Sequence, residues 1–201
     1  MLILASRSKT RAMLLAGAGL AFETRSPEID ERAVESAAVA GGADGRAVAT
    51  LLAEAKARAV AQMAPSAVVI GADQTLALGY ELLHKPATVE AARAQLELLR
   101  GKTHRLHAGV ALAVAGEVVW SAVETAELTM RAFEPAEGDA VLALEGTAAL
   151  DSVGGYRLEG PSIRLFESVR GDYFSILGLP LLPLLAALRE HAPAALSVGP
   201  A

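Results

Sequence analysis

The chain contains no cysteine and only 4% aromatic residues, with a single tryptophan. Without cysteine there is no disulfide framework, no thiol nucleophile, and no Cys-ligated zinc or iron–sulfur centre. Basic residues are not in excess. Eighteen Lys and Arg stand against 23 Asp and Glu, giving a net charge of -5 and a pI near 5.4. Sequence-independent binding to a nucleic-acid backbone needs a basic surface, so that class is excluded, although a local basic pocket for a small anion is not. No long apolar run occurs either. The most apolar stretch, residues 174–188, is interrupted by Pro180 and Pro183 and followed at once by Arg189 and Glu190. It falls short of the ~20 residues that a membrane helix needs. At the N-terminus a few apolar residues precede Arg7 and Lys9 with no basic region ahead of them, which is not how a signal peptide reads. The expectation is a soluble, cytoplasmic protein with neither a membrane nor a nucleic-acid partner. The patterns GxxxxGK[ST], GxGxxG and GxSxG are also missing. This removes the P-loop, Rossmann dinucleotide and serine-hydrolase readings.

What is present is 201 residues, 53% hydrophobic and 20% charged. That length suits one large domain or one domain with two lobes, with enough chain to bury a substantial Ala/Leu/Val core. Residues 2–5 read as a buried strand, followed by Ser6-Arg7-Ser8 and a helix that Ser8 caps and Gly17 and Gly19 end. A strand, a Ser-rich turn and a helix aim backbone N–H groups at an anion. Residues 20–24 read as a second strand, 26–31 as a loop, and 36–45, with three glycines, as flexible. Asp44 caps a helix over about 46–63, where Val48, Leu51, Leu52, Ala55 and Ala59 fall at helical spacing. Residues 67–72 form a continuous apolar run rich in β-branched residues, the signature of a strand buried on both faces. It is expected to end at Asp73-Gln74-Thr75, because open α/β sheets place chemistry at such strand ends.

A hairpin near Gly79, a helix from Thr88 to Leu99, and a long hairpin over 104–131 turning at Gly116-Glu117 come next. A helix then opens at Pro135, a Gly-bounded loop covers 154–160, and a strand is expected over 163–166. Pro180 opens a last helix to about Glu190, and the chain from Pro193 reads as a frayed tail. Strand–helix units early and a meander later predict an α/β fold with a mixed, twisted sheet flanked by helices. The expected organisation is a single domain over 1–190 and a tail over 191–201.

Several polar residues are not needed by a core. Asp73 follows a buried strand, either as a carboxylate at the rim of a cleft or as a turn or capping residue. Lys85 precedes Pro86 and is held extended; it suits a phosphate, or it is a solvated surface lysine. Lys56, between Glu54 and Arg58, reads by itself as an exposed helical residue. Ser6, Ser8, Lys9 and Arg11 form a polar, basic cluster at a helix N-terminus. Asp30 and Glu31 are paired carboxylates that, with Asp73, suit an oxygen-rich Mg²⁺ site, or else belong to a solvated loop. His104 and His107 point to opposite faces of a strand, so they do not share a metal.

These segments together resemble a known family. LILASRSKTRAMLLAGAGLAFE, Asp30-Glu31, VIGADQTLALGYELLHKP and the C-terminal GLPL are similar, in the same order, to the Maf nucleoside triphosphate pyrophosphatases over about residues 2–189. Lys9 stands where that family usually has proline, Thr10 where the first of two arginines often is, and Arg100 where a serine precedes Gly101. Glu159-Gly160, together with Gln74 after Asp73, looks more like the subfamily acting on 7-methyl-GTP than the dTTP/UTP subfamily. The resemblance implies two lobes around a cleft, similar to the inosine triphosphate pyrophosphatase-like fold. It also implies hydrolysis of the α–β phosphoanhydride to a monophosphate and pyrophosphate, with a house-cleaning role and a link to septum formation.

In residue roles it implies Asp73 and Lys85 as catalytic. Ser6, Ser8, Arg11, Lys56, Gln74 and Glu159 bind substrate, with Lys9 adding charge, and Glu31 and Asp73 hold a divalent cation, Mg or Mn. The nucleoside triphosphate is the small-molecule partner and a homodimer is expected. A dTTP/UTP pyrophosphatase, and a nucleotide-binding regulator of cell division with little turnover, stand as alternatives.

Overall fold

A computed structural model describes residues 1–196. The strands are β1 (Leu2–Ala5), β2 (Glu23–Thr24), β3 (Val68–Leu78), β4 (Glu81–Leu83), β5 (Thr103–Val114), β6 (Glu117–Met130) and β7 (Phe166–Arg170). The helices are α1 (Lys9–Gly17), α2 (Glu31–Ala40), α3 (Gly45–Met63), α4 (Val89–Leu99), α5 (Pro135–Glu145), α6 (Tyr173–Ile176) and α7 (Leu181–His191). The strands form one sheet in the order β2-β1-β3-β5-β6-β7, with β4 on β3. β1 pairs in parallel with β2 and β3, whereas β3–β4 and β6–β7 are antiparallel. The fold is therefore α/β with a mixed sheet flanked by helices.

The chain divides into two compact units. One comprises residues 1–74, 107–124 and the chain from Asp172; the other comprises 75–106 and 125–171. In the first unit, alternation along β1 sends Leu2 and Leu4 to one face and Ile3 and Ala5 to the other. The first face packs with Leu14 and Leu15 of α1, Ile70 of β3, and Leu181, Leu184 and Leu188 of α7. The second packs with Ala53, Ala57 and Val60 of α3 and Val69 of β3. This is why 67–72 reads as apolar throughout: both faces of the strand are covered.

The α3 layer lies on the sheet at backbone contact. A Cβ on Gly71 would stand 2.1 Å from the carbonyl oxygen of Ala53 and 2.6 Å from the amide nitrogen of Ala57. One on Gly109 would stand 2.3 Å from the carbonyl oxygen of Ala49. Ala49, Ala53 and Ala57 recur every fourth residue and are fully buried. A stripe of alanines therefore seats on two strand glycines.

In the second unit, α4 is capped by Thr88, whose hydroxyl accepts from Ala91 N, and α5 opens on Pro135. His104, Tyr156 and Phe166 form an aromatic cluster, with His104 and Tyr156 in edge contact at 5.5 Å between ring centroids.

Several expectations are corrected. The strand expected over 20–24 is only Glu23–Thr24. Residues 31–40 form α2, capped by Asp30, rather than part of a flexible stretch, and none of its side chains is buried. β3 does not stop at Asp73 but continues to Leu78, because its later residues pair with β4. Residues 161–165 form a 3₁₀ turn led by Pro161, and the strand begins only at Phe166. Of the tail expected over 191–201, His191 ends α7 and Pro193–Leu196 form a 3₁₀ turn; residues 197–201 lie outside the described residues.

Candidate active site

Asp73 lies inside β3, but its neighbour strand ends earlier. The β1–β3 register runs out at Ala5 and Gly71. Asp73 therefore stands two residues beyond the end of the parallel pair, level with the Ser6-Arg7-Ser8 turn. Asp73 thus lies past the end of the β1–β3 pairing, a position set by where β1 stops rather than where β3 stops.

Because Gly71 lets α3 touch the strand at Ala57, Lys56 is carried to Asp73. Lys56 Nζ donates to Asp73 Oδ1 at 2.6 Å and lies 2.9 Å from Glu31 Oε2. Lys56 is 6% exposed and Asp73 8%, so the exposed-helix reading of Lys56 does not hold. Glu31 reaches the ammonium from the first turn of α2. Its neighbour Asp30 is instead the N-cap, accepting from Ala33 N at 3.0 Å. One ammonium thus faces two carboxylates.

Ser6 and Ser8 both act as acceptors. Ser6 Oγ accepts from Ser8 N and from Arg11 Nη1, each at 3.2 Å. Ser8 Oγ caps α1 by accepting from Arg11 N at 3.3 Å. A hydroxyl used as an acceptor keeps its own proton to donate, the polarity a phosphate requires. Arg11 is largely a tether: Nε donates to Gly178 O at 2.8 Å and Nη1 to Ala72 O at 3.0 Å. None of these bonds engages Nη2. Burial pushes its guanidinium below the usual value, while the carboxylates of Asp73 and Glu31 act the other way. Gln74 donates from Nε2 to the carbonyls of Ser175 and Ile176, at 3.2 and 3.0 Å.

The segment 172–178 that receives these bonds is a part of the site's frame that was not foreseen. Asp172 caps α6, accepting from Ser175 N at 2.8 Å. Ser175 Oγ is within hydrogen-bond reach of both Asp172 and Glu124. The spacing of an aspartate three residues before a serine was the available signal.

Among the described residues, no group of three or more His, Cys, Asp or Glu is arranged around a metal. The two carboxylates that converge on Lys56 nevertheless form an oxygen donor pair. Mg²⁺ is held by one or two carboxylates with substrate phosphates and waters completing its shell, so this donor set fits.

The Maf-like protein family matches residues 1–191. The chain belongs to the Maf family. It is 53% identical over 190 residues to a 7-methyl-GTP pyrophosphatase of Brucella suis, covering 94% of this chain and 96% of that one. It is 50% identical over 190 residues to a 7-methyl-GTP pyrophosphatase of Rhizobium meliloti, with 94% and 96% covered. A nucleoside triphosphate pyrophosphatase of Bradyrhizobium diazoefficiens is 50% identical over 190 residues, covering 94% of this chain and 93% of that one.

Within this Maf chain, Ser6, Ser8, Arg11, Glu31, Lys56, Asp73 and Gln74 fall in the first unit. Hydrogen bonds or ion pairs tie Ser6, Ser8 and Arg11 to one another, and Lys56 to Glu31 and Asp73. Lys9 is exposed in the first turn of α1. Lys85 and Glu159 fall in the second unit, and both are exposed there. Lys85 lies between β4 and α4, next to the buried Pro86. No helix among the described residues is long and apolar enough to cross a membrane.

Proposed function

We propose that this Maf chain hydrolyses the α–β phosphoanhydride of a nucleoside triphosphate, releasing the monophosphate and pyrophosphate, and that 7-methyl-GTP is its preferred substrate. The observation that carries the reading is the buried Lys56 ammonium between Asp73 and Glu31. A core does not need such a group. Relatives about half identical to the chain bear names for this reaction.

Asp73 binds Lys56 through Oδ1, which leaves Oδ2 to accept the proton of an attacking water. Lys56 fixes that carboxylate and offers an N–H to a phosphate oxygen. Ser6 and Ser8 donate their hydroxyl protons to the polyphosphate, assisted by the N–H groups at the start of α1. Glu31 and Asp73 are the residues that would hold a divalent cation, Asp73 Oδ2 then serving as ligand in place of proton acceptor, and the chemistry such an ion would supply is to offset phosphate charge and polarise the α-phosphoryl group. Lys56, Glu31, Asp73 and Arg11 sum to no net charge, so added cationic charge suits a substrate carrying about four negative charges. Lys85 enters as a phosphate-binding and catalytic lysine through the family resemblance alone.

Glu159 is the proposed base selector. A 7-methylguanine is cationic and presents N1–H and N2–H donors, which suit a carboxylate. A uracil, with one N–H and two carbonyls, suits an amide better.

Pyrophosphate release from 7-methyl-GTP, dTTP, UTP and ITP with Mg²⁺ or Mn²⁺ tests this. The expected result is a kcat/KM for 7-methyl-GTP at least tenfold above the others. A preference for dTTP or UTP would overturn the substrate assignment. A nucleotide that raises Tm but is never cleaved would point to a binding regulator instead.

A further inference from the structure

We infer that Glu145 is a positioning residue for nucleobase selection, stapling both sides of the loop that carries Glu159. The inference rests on the reading of Glu159 as base selector.

Glu145 is the last residue of α5, and its side chain is fully buried. Both facts are costly. A carboxylate at a helix C-terminus opposes the macrodipole, and a buried charge must be paired and hydrogen-bonded to be tolerated. The helix itself does not gain from it. Its contacts show what does. Oε2 accepts from Arg157 Nε at 3.0 Å, and Oε1 accepts from Ser162 N at 3.0 Å and Ser162 Oγ at 2.8 Å. Arg157 lies two residues before Glu159 and Ser162 three residues after it. The two oxygens of one carboxylate therefore close the loop from both sides.

The loop also lies directly on the carboxylate. A Cβ on Gly160 would stand 2.5 Å from Oε1, 2.9 Å from Oε2 and 3.0 Å from Arg157 Nη2. A larger residue at position 160 would displace the Glu145 carboxylate or the Arg157 guanidinium. At the loop's stem, Tyr156 Oη and His104 Nε2 share a buried hydrogen bond of 2.7 Å. Glu159, exposed at the apex, is thus borne on a short span fixed at its root and on both flanks. Such prior fixing removes ordering cost from recognition, so its loss should appear in substrate affinity rather than in the chemical step.

The test is steady-state kinetics of the full chain with 7-methyl-GTP and UTP, in Glu145→Ala, Glu145→Gln, Arg157→Ala, Ser162→Ala and Glu159→Gln. Glu145→Ala is expected to raise KM for 7-methyl-GTP about tenfold, change kcat less than threefold, and leave both constants for UTP as they were. Glu145→Gln keeps an acceptor for Ser162 and is expected to recover part of the loss. The double variant Glu145→Gln/Arg157→Ala should be no worse than its worse single, since both remove one staple. If Glu145→Ala does not fold, Arg157→Ala and Ser162→Ala carry the same KM test.

A uniform loss with both nucleotides, a fall in kcat alone, or an unchanged KM overturns the inference. If Glu159→Gln keeps the preference while Glu145→Ala abolishes it, the route through Glu159 is overturned but the pyrophosphatase reading stands. A parent chain that neither binds nor cleaves any nucleotide overturns that reading, and this inference with it.

Discussion

Lys56 of α3 and Asp73 of β3 meet at 2.6 Å because a glycine separates their backbones. Gly71 admits the α3 backbone at Ala53 and Ala57, and two residues further along the strand Asp73 receives the lysine that precedes Ala57. The ion pair is a consequence of helix–sheet packing rather than of sequence proximity.

Replacing Asp73 by Asn preserves the shape of the side chain while removing the proposed proton acceptor. Turnover is expected to fall ~10²–10⁴-fold, the usual contribution of a positioned general base. The fold should be kept, as read by circular dichroism. Near-normal kcat in a folded Asp73→Asn protein removes Asp73 from the reaction.

Gly71→Ala tests the seat itself. A methyl group 2.1 Å from the Ala53 carbonyl oxygen meets backbone that cannot rotate away. The expected destabilisation is about 3 kcal/mol or more, at the severe end for overpacked cores. A denaturant midpoint close to that of the parent chain would contradict the packing described.

Glu31→Gln is directed at the proposed cation site. Glutamine retains an oxygen for Lys56 but is a weaker ligand than a carboxylate. The Mg²⁺ concentration giving half-maximal pyrophosphate release should rise at least tenfold, with activity recovered at saturating Mg²⁺. An unaltered Mg²⁺ dependence would leave Glu31 only its contact with Lys56.

Much of this arrangement was legible in the sequence. The caps Ser8 and Asp44, the helix that begins at Thr88, the doubly covered strand and the long hairpin each follow from local rules, and the structure has them, with Thr88 as the cap. α2 is missed because Gly41, Gly42 and Gly45 make the residues ahead of them read as flexible, although Val34, Ala37 and Ala38 fall at helical spacing. The end of β3 was misplaced because polar Asp73-Gln74-Thr75 imitates a terminus, while the partner that prolongs the strand, β4, is only three residues long. Lys56 reads as solvent-exposed by its charged neighbours Glu54 and Arg58. Its burial depends on Asp73, 17 residues away, and on Gly71, and no periodicity reports that. The tethering of Arg11 and Gln74 to residues 175–178 is likewise tertiary, spanning more than 100 residues.

His104 supplies a pH dependence of stability. It is 1% exposed, and burial pushes its imidazole down to about 4 from 6.5. The unfolded chain therefore binds a proton at higher pH than the folded one. The stabilisation is complete above about pH 6.5 and is lost as pH falls from there towards 4. The size of this loss is on the order of 3 kcal/mol. In His104→Phe the difference in stability between pH 7 and pH 4.5 should shrink, whatever the absolute cost of leaving Tyr156 without its partner. An identical pH slope in both proteins would show that His104 is not held neutral by burial.

The most direct test of the proposed reaction is cleavage of 7-methyl-GTP in ¹⁸O-labelled water with Mg²⁺, with products resolved by mass. Attack at the α-phosphorus, with Asp73 taking the water's proton, predicts 7-methyl-GMP carrying the label and unlabelled pyrophosphate. Release of a nucleoside diphosphate and inorganic phosphate, or label found in the pyrophosphate, would contradict it.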